Sequence, residues 1–412
     1  MLSDSSINTK VFSMMGFSVA AMICMGFFNA ACNVFLGRPL IYIAAVAVMA
    51  IAAVGVGGVN IRREALSRIA AIATWYGTIG VLTIVAAAIS LKPEIHETLY
   101  SFALIFIILS GGCVLSVLCW QRKDVVRIVN STFFFGFVVS AVLVIIDPIV
   151  DIRSYLSQFD GESYDRSRAG GLFLQPNSAA LGLLIFFLIL VPRLSRFWLL
   201  ICFVLLGVGT LLTFSRFGIF TSLFAGGAAV IFGRLNAKPL IFFIIVISLI
   251  FSGAGIEKIL VDGLGVDEGS GLFRINNSVD LLSASTLLED ERGRLLNRAW
   301  NDFMERPWIG YGPGYSWRWE AKMGQGTHNI YLRYMLDYGI LGFLFWPSLM
   351  CVLYSLRQAA LPRYWALTVF VMSLLVGLSS HNLSEQNFCL IGIMAAYVLP
   401  LPNRSHRSAQ NR

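Results

Sequence analysis

The stretch that decides the fold is SAALGLLIFFLILVPRLSRFWLLICFVLLGVGTLLTFSRFGIFTSLFAGGAAVIFG, residues 178–233. Its only charged side chains are Arg193, Arg196 and Arg216, and these divide it into three apolar runs. A helix needs about 20 predominantly apolar residues to cross a bilayer core of about 30 Å. The stretch therefore predicts consecutive membrane-spanning helices with short turns between them.

The composition extends this pattern to the whole chain of 412 residues. Hydrophobic residues make up 57% of the sequence and charged residues only 13%, whereas soluble domains carry about 25% charged residues. This excludes an ordinary cytosolic enzyme, a disordered protein and a disulfide scaffold. The seven cysteines form no C-x-x-C pair, so we interpret them as small buried hydrophobes. The sequence predicts an all-α polytopic membrane protein.

Twelve candidate spans account for the apolar runs, and they define the predicted organisation of the chain. We place five helices in residues 1–150, a first outer loop at 151–177, four helices at 178–256 and a large outer loop at 257–334. Three helices at 335–401 and a tail at 402–412 complete it. The candidate spans lie near 11–32, 39–59, 69–90, 99–119, 131–150, 178–192, 197–214, 217–233, 240–256, 335–356, 366–380 and 388–401. The first is interpreted as a span and not as a signal peptide.

The distribution of basic residues predicts the orientation. Lys and Arg cluster after the even-numbered spans and in the tail, whereas the short connections on the other side carry only Arg38, Lys92 and Arg216. The positive-inside rule then places both termini in the cytoplasm and both long loops outside. We assign the formal net charge of +8 to this asymmetry and expect no nucleic-acid partner.

The large outer loop contains a predicted amphipathic helix at 286–305. Thr286 to Glu289 fits an S/T-x-x-E capping box, and Pro307 ends the run. We expect the helix to lie on the membrane surface or on the bundle; an ordinary surface helix with solvated charges is the alternative. The apolar residues that recur at helical spacing are Leu288, Leu295, Leu296, Ala299, Trp300, Phe303 and Met304.

Three arginines on this helix differ in their local partners. Arg294 follows Asp290 by four residues and Arg298 precedes Asp302 by four, spacings typical of surface ion pairs. Arg292 has only Glu289 three residues before it and lies one turn before Leu296. We therefore expect Arg292 to face a ligand, with Arg294 as the second candidate.

Arg216 and His328 are the most informative polar residues near the outer boundary. Arg216 lies between two apolar runs, and an arginine at membrane depth costs about 2.5–3.5 kcal/mol on insertion scales, which favours a functional role. Snorkelling to the headgroups is the alternative. His328, followed by Asn329, is a candidate general base or a helix-capping residue. The rival polar cluster is His381, Asn382, Glu385, Gln386 and Asn387.

The chemistry of these residues predicts an anionic ligand. No HExxH motif and no clustered His, Cys and Asp set occurs in the sequence, so we expect no metal site and no cofactor. Arginine binds phosphate oxygens through a planar fork and keeps its charge in a partly dry site. A phosphate or pyrophosphate embedded in the membrane is the ligand we expect. Two alternatives are a small-anion transporter, although Asp147 is almost the only ionisable residue in the spans, and a structural scaffold.

Six segments within about residues 165–345, taken in their order along the chain, resemble a known protein family. They are Arg168-Ala-Gly-Gly171-Leu-Phe-Leu-Gln-Pro176-Asn177, Thr213-Phe-Ser215-Arg216, Arg292, Pro307-Trp-Ile-Gly310-Tyr-Gly312-Pro-Gly314, His328-Asn329-Ile-Tyr331-Leu and Asp337-Tyr-Gly339-Ile-Leu-Gly342. This set resembles the O-antigen ligase and polymerase family of bacterial inner-membrane proteins. Asp337 departs from the pattern, since many relatives have Glu there.

The resemblance implies a metal-independent, inverting membrane glycosyltransferase of the GT-C type. Its donor would be a glycan on undecaprenyl pyrophosphate, and its active site would face the periplasm. A ligase passes the glycan to lipid A–core, and a polymerase passes it to another lipid-linked repeat unit; we favour the ligase. The resemblance makes His328, Arg216 and Arg292 catalytic, and assigns substrate binding to Arg168, Arg294, Asn329 and Tyr331.

Overall fold

The structure is a computed structural model that describes residues 63–90, 123–152, 168–173, 175–251, 291–324, 326–380, 387–399 and 401. All regular elements in these ranges are helices, so the predicted all-α class is confirmed for the described part of the chain. The predicted spans near 11–32, 39–59 and 99–119 lie outside the described residues, as do His381, Asn382, Glu385 and Gln386 of the rival polar cluster.

The helices are numbered here in chain order. They are α1 (Arg63–Ile89), α2 (Lys123–Val150), α3 (Pro176–Leu190), α4 (Arg196–Leu212), α5 (Arg216–Ile231), α6 (Ala237–Phe251), α7 (Glu291–Glu305), α8 (Tyr315–Met323), α9 (Ile330–Tyr338), α10 (Phe345–Ser355), α11 (Arg363–Gly377) and α12 (Asn387–Val398). Two 3-10 helices, Gly171–Phe173 and Gly339–Leu344, precede α3 and α10.

Membrane-spanning helices are present in the described part of the chain. Three segments are long and apolar enough to cross a bilayer: Ala70–Ile89, Val126–Val150 and Ile330–Ser355. Shorter apolar helices of 10–17 residues lie in α3, α4, α5, α6 and α11. These helices establish a membrane protein, and the total of twelve spans stays a prediction.

Helix α3 forms the centre of the bundle. Every residue from Ala179 to Leu190 is buried, and a helix that is apolar on all sides is stable only inside a larger apolar environment. Helix α3 packs against α2, α4, α5 and α12. Large aromatic side chains fill the space around it, including Phe133, Phe137, Phe186, Phe187 and Phe203.

The bundle has two ends, which we call the Arg216 end and the Arg193 end. Helices α3 and α5 both begin at the Arg216 end, where Ala180 and Gly218 touch. Their last residues meet at the Arg193 end, where the Arg234 guanidinium donates to the carbonyl oxygens of Val191 and Leu194. Helices α3 and α5 therefore run parallel, and α4 returns between them.

Basic residues at the Arg193 end bind helix carbonyl groups. The buried Arg193 guanidinium donates to the carbonyl oxygens of Ile189, Ala396 and Leu399, the last at 2.6 Å. Arg196 donates to the carbonyl oxygen of Gly233 at 3.1 Å. The last carbonyl groups of a helix have no partner within the helix, so these arginines act as C-terminal caps.

Replacing Arg193 by leucine is expected to destabilise the bundle. The carbonyl oxygens of Ile189 and Leu399 would lose a donor, and a buried polar group without a partner costs about 1–3 kcal/mol. Arg196→Leu is the matched control because it removes the same charge from an exposed position. A thermal unfolding midpoint in detergent should fall more for Arg193→Leu; equal midpoints would contradict the capping role.

Helix α9 lies across the Arg216 end and connects α11 with α1. At its start, the Tyr331 hydroxyl donates to the carbonyl oxygen of Leu374 near the end of α11, at 2.8 Å. At its last residue, the Tyr338 hydroxyl lies 3.2 Å from Thr83 Oγ1 on α1. The chain then turns at Gly339 (φ +65°), packs back along α9 and enters α10. The predicted span 335–356 is thus divided among the end of α9, a 3-10 helix and α10.

Candidate active site

Two helix N-termini meet at the Arg216 end. A Cβ atom added at Gly218, in the first turn of α5, would lie 2.5 Å from the Cβ of Ala180 near the start of α3. Only glycine allows this approach. The N-terminus of a helix carries about half a positive charge and unpaired N–H groups, so the two parallel helices present a doubled positive pole to an anion.

The turn before Arg216 is fixed by side-chain hydrogen bonds. The Thr213 hydroxyl donates to the carbonyl oxygen of Thr210 and accepts from the Ser215 N–H. The Ser215 hydroxyl caps α5 by accepting from the Gly218 N–H at 3.2 Å. Phe214 adopts a left-handed backbone (φ +47°) that is unfavourable for a bulky residue. This turn places Arg216 at the first position of α5, with its side chain exposed.

Arg168 connects the first loop to the same turn. Its Nε donates to the carbonyl oxygen of Thr213, and its Nη2 donates to Asn177 Oδ1 in the first turn of α3, both at 2.9 Å. The neighbouring Ala169 N–H donates to the carbonyl oxygen of Leu212. Arg168 and Arg216 are thus brought together with the two helix N-termini, and Arg168 also holds these elements in place.

Asp147 is a site-supporting residue that the sequence did not identify. Its carboxylate is buried at the end of α2 and accepts from the N–H groups of Gly170 and Gly171, at 2.8 and 3.0 Å. The sequence marked Asp147 only as an isolated ionisable residue, because the partners are backbone groups of a loop more than twenty residues away. This carboxylate holds the Arg168 loop against α2.

Asp147→Ala is expected to loosen that loop and to lower the activity of the protein indirectly. Two buried N–H groups would lose their acceptor, at about 1–3 kcal/mol each. Asp147→Asn keeps one carbonyl acceptor and should be less severe in both unfolding midpoint and activity. The proposed support is contradicted if the two variants resist proteolysis in the Arg168 loop as well as wild type does.

Helix α7 carries Arg292 and Arg294 and packs against α9. Ala299 and Phe303 are buried in a cluster with Leu332 and Leu336 of α9. The predicted amphipathic helix is therefore present over Glu291–Glu305, and residues 286–290 lie outside the described residues. Arg294 is exposed, whereas the side chain of Arg292 is outside the described part.

Asp302 on α7 has a different partner from the one expected. The spacing predicted an ion pair with Arg298, but the Asp302 carboxylate accepts from Trp319 Nε1 of α8 at 2.6 Å. The contact holds α8 against α7. An i,i+4 spacing could not reveal it, because the partner lies seventeen residues further along the chain.

His328 lies immediately before α9 in a left-handed conformation (φ +51°) and is half-buried. Asn329 follows as the N-cap, with its Oδ1 accepting from the Leu332 N–H at 3.1 Å. Thr327 braces the turn by donating to the carbonyl oxygen of Asn329. The backbone around the imidazole is therefore fixed, and Asn329 has a structural role in addition to the predicted substrate contact.

Tyr331 is buried and anchors α9 to α11. Its hydroxyl donates to Leu374, and its ring packs against Phe343 with centroids 5.3 Å apart. The hydroxyl is thus engaged by the protein. The predicted contact between Tyr331 and the substrate stays a prediction, and packing explains the position of the Tyr331 side chain.

A buried polar cluster fastens the 306–327 segment to α9, and the sequence did not reveal it. Asp337 accepts from the N–H and the hydroxyl of Ser316, at 2.7 and 3.0 Å, so its carboxylate caps α8 from a neighbouring helix. Arg333, one turn earlier, lies over the Trp317 ring at 4.6 Å. The segment leads directly into His328, so the cluster helps to fix where His328 lies.

Tyr311 completes this attachment. Its N–H donates to the carbonyl oxygen of Leu336, and its ring stacks on Tyr315 at 4.1 Å. Burial and the hydrogen bond to Glu305 raise the pKa of the Tyr311 phenol. The phenol therefore stays protonated at neutral pH and continues to donate to Glu305.

Helix α11 connects the residues around Arg216 with those around His328. The indole of Trp365, near the start of α11, donates to the carbonyl oxygen of Leu188, so α11 begins at the Arg193 end. Its last turns therefore lie at the Arg216 end, where Tyr331 binds Leu374. Because α11 also packs on α5, the structure places Arg216 and His328 at the same end of one bundle. Among the described residues, no group of His, Cys, Asp and Glu could hold a metal ion.

A comparison with protein-family models bears on the class of protein to which this bundle is similar. The structure brings an exposed arginine at paired helix N-termini and a fixed histidine to one end of a bundle of apolar helices. Residues 201–346 match the family model described as O-antigen ligase, which confirms the resemblance to the O-antigen ligase and polymerase family. The matched range contains Arg216, α7 and His328 but not Arg168. No curated protein matches the chain.

Proposed function

We propose that this protein is an O-antigen ligase of the bacterial inner membrane. It transfers a glycan from undecaprenyl pyrophosphate to a sugar of lipid A–core. The observation that supports this most directly is the Arg216 end, where an exposed guanidinium lies at the first position of α5, beside the start of α3. In this proposal the Arg216 end faces the periplasm, both termini are cytoplasmic, and the fold is a GT-C bundle of about twelve spans.

The diphosphate of the donor binds where positive charge is concentrated. Arg216 contacts the diphosphate oxygens, and the N-termini of α3 and α5 add their dipoles. Arg292 of α7 is the second arginine that we assign to the diphosphate, with Arg294 as the alternative arginine on the same helix. Arg168 shapes this surface through Thr213 and Asn177 and is a secondary phosphate contact.

The reaction is a single inverting displacement at the anomeric carbon. The acceptor hydroxyl attacks that carbon, forming a new C–O bond, while the bond from the carbon to the diphosphate oxygen breaks. The electron pair of that bond leaves with undecaprenyl pyrophosphate, and His328 takes the proton of the acceptor hydroxyl. Arg216 and Arg292 stabilise the charge that develops on the leaving diphosphate. Asn329 and Tyr331 hold the turn at His328 and the helix that follows it in place, in addition to any contact that they make with the glycan.

The lipid-linked glycans of a deletion strain distinguish a ligase from a polymerase. Loss of a ligase should leave polymerised glycan on undecaprenyl pyrophosphate and no long glycan on lipid A–core. Loss of a polymerase should leave single repeat units on the carrier. Complementation with the wild-type chain is the control. An unchanged glycan profile in the deletion strain would contradict both activities.

A further inference from the structure

Helix α7 has a wider apolar face than α9 covers. Ala299 and Phe303 are buried against α9, but Trp300 and Met304, which follow them by one residue, are 47% and 54% exposed. The sequence grouped all four as one apolar face. The remaining circumference of α7 is polar and exposed at Arg294, Asn297, Arg298 and Asn301.

The exposed apolar surface continues beyond the end of α7. Trp308, four residues after Met304, is 78% exposed, and Ile309 is 53% exposed. The turn at 307–309 packs against Gly339, where a Cβ would collide with the Trp308 backbone. The Ile340 N–H donates to the carbonyl oxygen of Pro307 at 2.7 Å. We call this surface the Trp308 patch: Trp300, Met304, Trp308, Ile309, Ile340 and Leu341.

The patch is continuous with a long apolar segment that ends in α10. Ile340 and Leu341 are 46% and 51% exposed and belong to Ile330–Ser355, one of the three segments apolar enough to cross a bilayer. Phe343 and Leu344 extend the exposed apolar surface in the same segment. Contiguous exposed apolar surface of this kind marks an interaction site, and here one part of it belongs to a segment whose length and composition suit a bilayer.

We propose that the Trp308 patch inserts into the lipid leaflet at the Arg216 end, with Trp308 at the level of the headgroups. Tryptophan is enriched at membrane–water interfaces because its ring is apolar and its indole N–H is polar. Amphipathic elements at this boundary bury their apolar face about 5–10 Å deep. Glu305 and Arg306, between Met304 and Trp308 in the sequence, are exposed, and charged side chains next to apolar ones suit a surface at the boundary between lipid and water. This contact does not depend on the proposed transferase activity.

Fluorescence quenching by labelled lipids tests the insertion. The full-length protein is reconstituted in phospholipid vesicles that carry a quencher either near the glycerol backbone or deep in the acyl chain. The chain has nine tryptophans, so the Trp308 signal is obtained as the difference between wild type and Trp308→Phe, a change that keeps an aromatic ring at an exposed position. We expect this difference to be quenched by the shallow label more than by the deep label, and little by aqueous iodide.

Two further measurements keep the result unambiguous. Trp300→Phe should remove a second component that is quenched by lipid in the same way. Trp319→Phe is the control, because Trp319 is 2% exposed and lies on α8; its component should resist both quenchers. A Trp308 component quenched by iodide alone would overturn the proposal in favour of a water-exposed patch. One that resists both quenchers would overturn it in favour of a covering protein, either a second copy or another partner.

Discussion

Replacing Arg216 by alanine should abolish attachment of long glycan to lipid A–core while leaving the protein level unchanged. Arg216 is exposed at the first position of α5, where its loss removes no packing. Removing one donor that stabilises a developing oxyanion costs about 100- to 1,000-fold in kcat. The measurement is the glycan profile of lipopolysaccharide on a gel, together with the amount of protein in the membrane.

The chain contains a matched control for Arg216. Arg363 is also an exposed arginine at the first position of a helix, α11, but it lies at the Arg193 end. Arg363→Ala should leave the glycan profile unchanged. Arg216→Lys should retain partial activity, because lysine keeps the charge but lacks the planar fork. The proposal is contradicted if Arg216→Ala produces the wild-type glycan profile. It is also contradicted if Arg363→Ala loses as much glycan as Arg216→Ala, since the position of the arginine would then not matter for the activity.

Loss of the His328 imidazole should reduce transfer by about 100- to 10,000-fold, the range for general acid–base catalysis. Alanine alone is a poor test, since the backbone at 328 is left-handed (φ +51°) and strains a residue that has a Cβ. Glycine adopts this conformation freely, and asparagine tolerates it. All three variants should be inactive in the glycan assay.

The three variants separate chemistry from backbone strain. Recovery of activity in His328→Gly or His328→Asn would mean that position 328 serves the turn and not the reaction. Asn329→Ala is the companion variant. It removes an N-cap, a loss of about 1 kcal/mol, and should lower the unfolding midpoint while keeping measurable transfer.

The sequence predicted the helices well because apolar run length is a local property. The runs at 178–192, 197–214 and 217–233 correspond to α3, α4 and α5, within a few residues at each boundary. Run length could not show that the stretch 335–356 changes from α9 through a 3-10 helix into α10. The cause is the close packing of Gly339 on Trp308, which lies 31 positions earlier in the chain.

The sequence revealed only one of the two roles that the charged residues at the Arg193 end have. Arg193, Arg196 and Arg234 served as signals of orientation, yet they also bind the carbonyl groups that end the helices. Both roles follow from one position, since a basic residue after a span lies beside the helix C-terminus. Asp147 was noticed only because ionisable residues are rare in the spans.

Some residues of the candidate site could be identified from the sequence, and others could not. Arg216 could be identified from its isolation between two apolar runs, and the structure adds the α3 N-terminus beside it. Asn329 and Tyr331 were selected by resemblance, and both have protein partners that no motif reveals. The cluster of Arg333, Asp337 and Ser316 was missed because Ser316 is more than fifteen residues from the other two and meets them only after α8 packs on α9.

The most direct test of the central claim is the affinity of the purified protein for undecaprenyl pyrophosphate, measured by native mass spectrometry with undecaprenyl monophosphate as the reference lipid. A charge-assisted hydrogen bond is worth about 1.5–3 kcal/mol, so Arg216→Ala should weaken binding of the diphosphate by about 10- to 100-fold. Arg363→Ala should bind as wild type does. Equal affinities of all three proteins would contradict a diphosphate site at the Arg216 end.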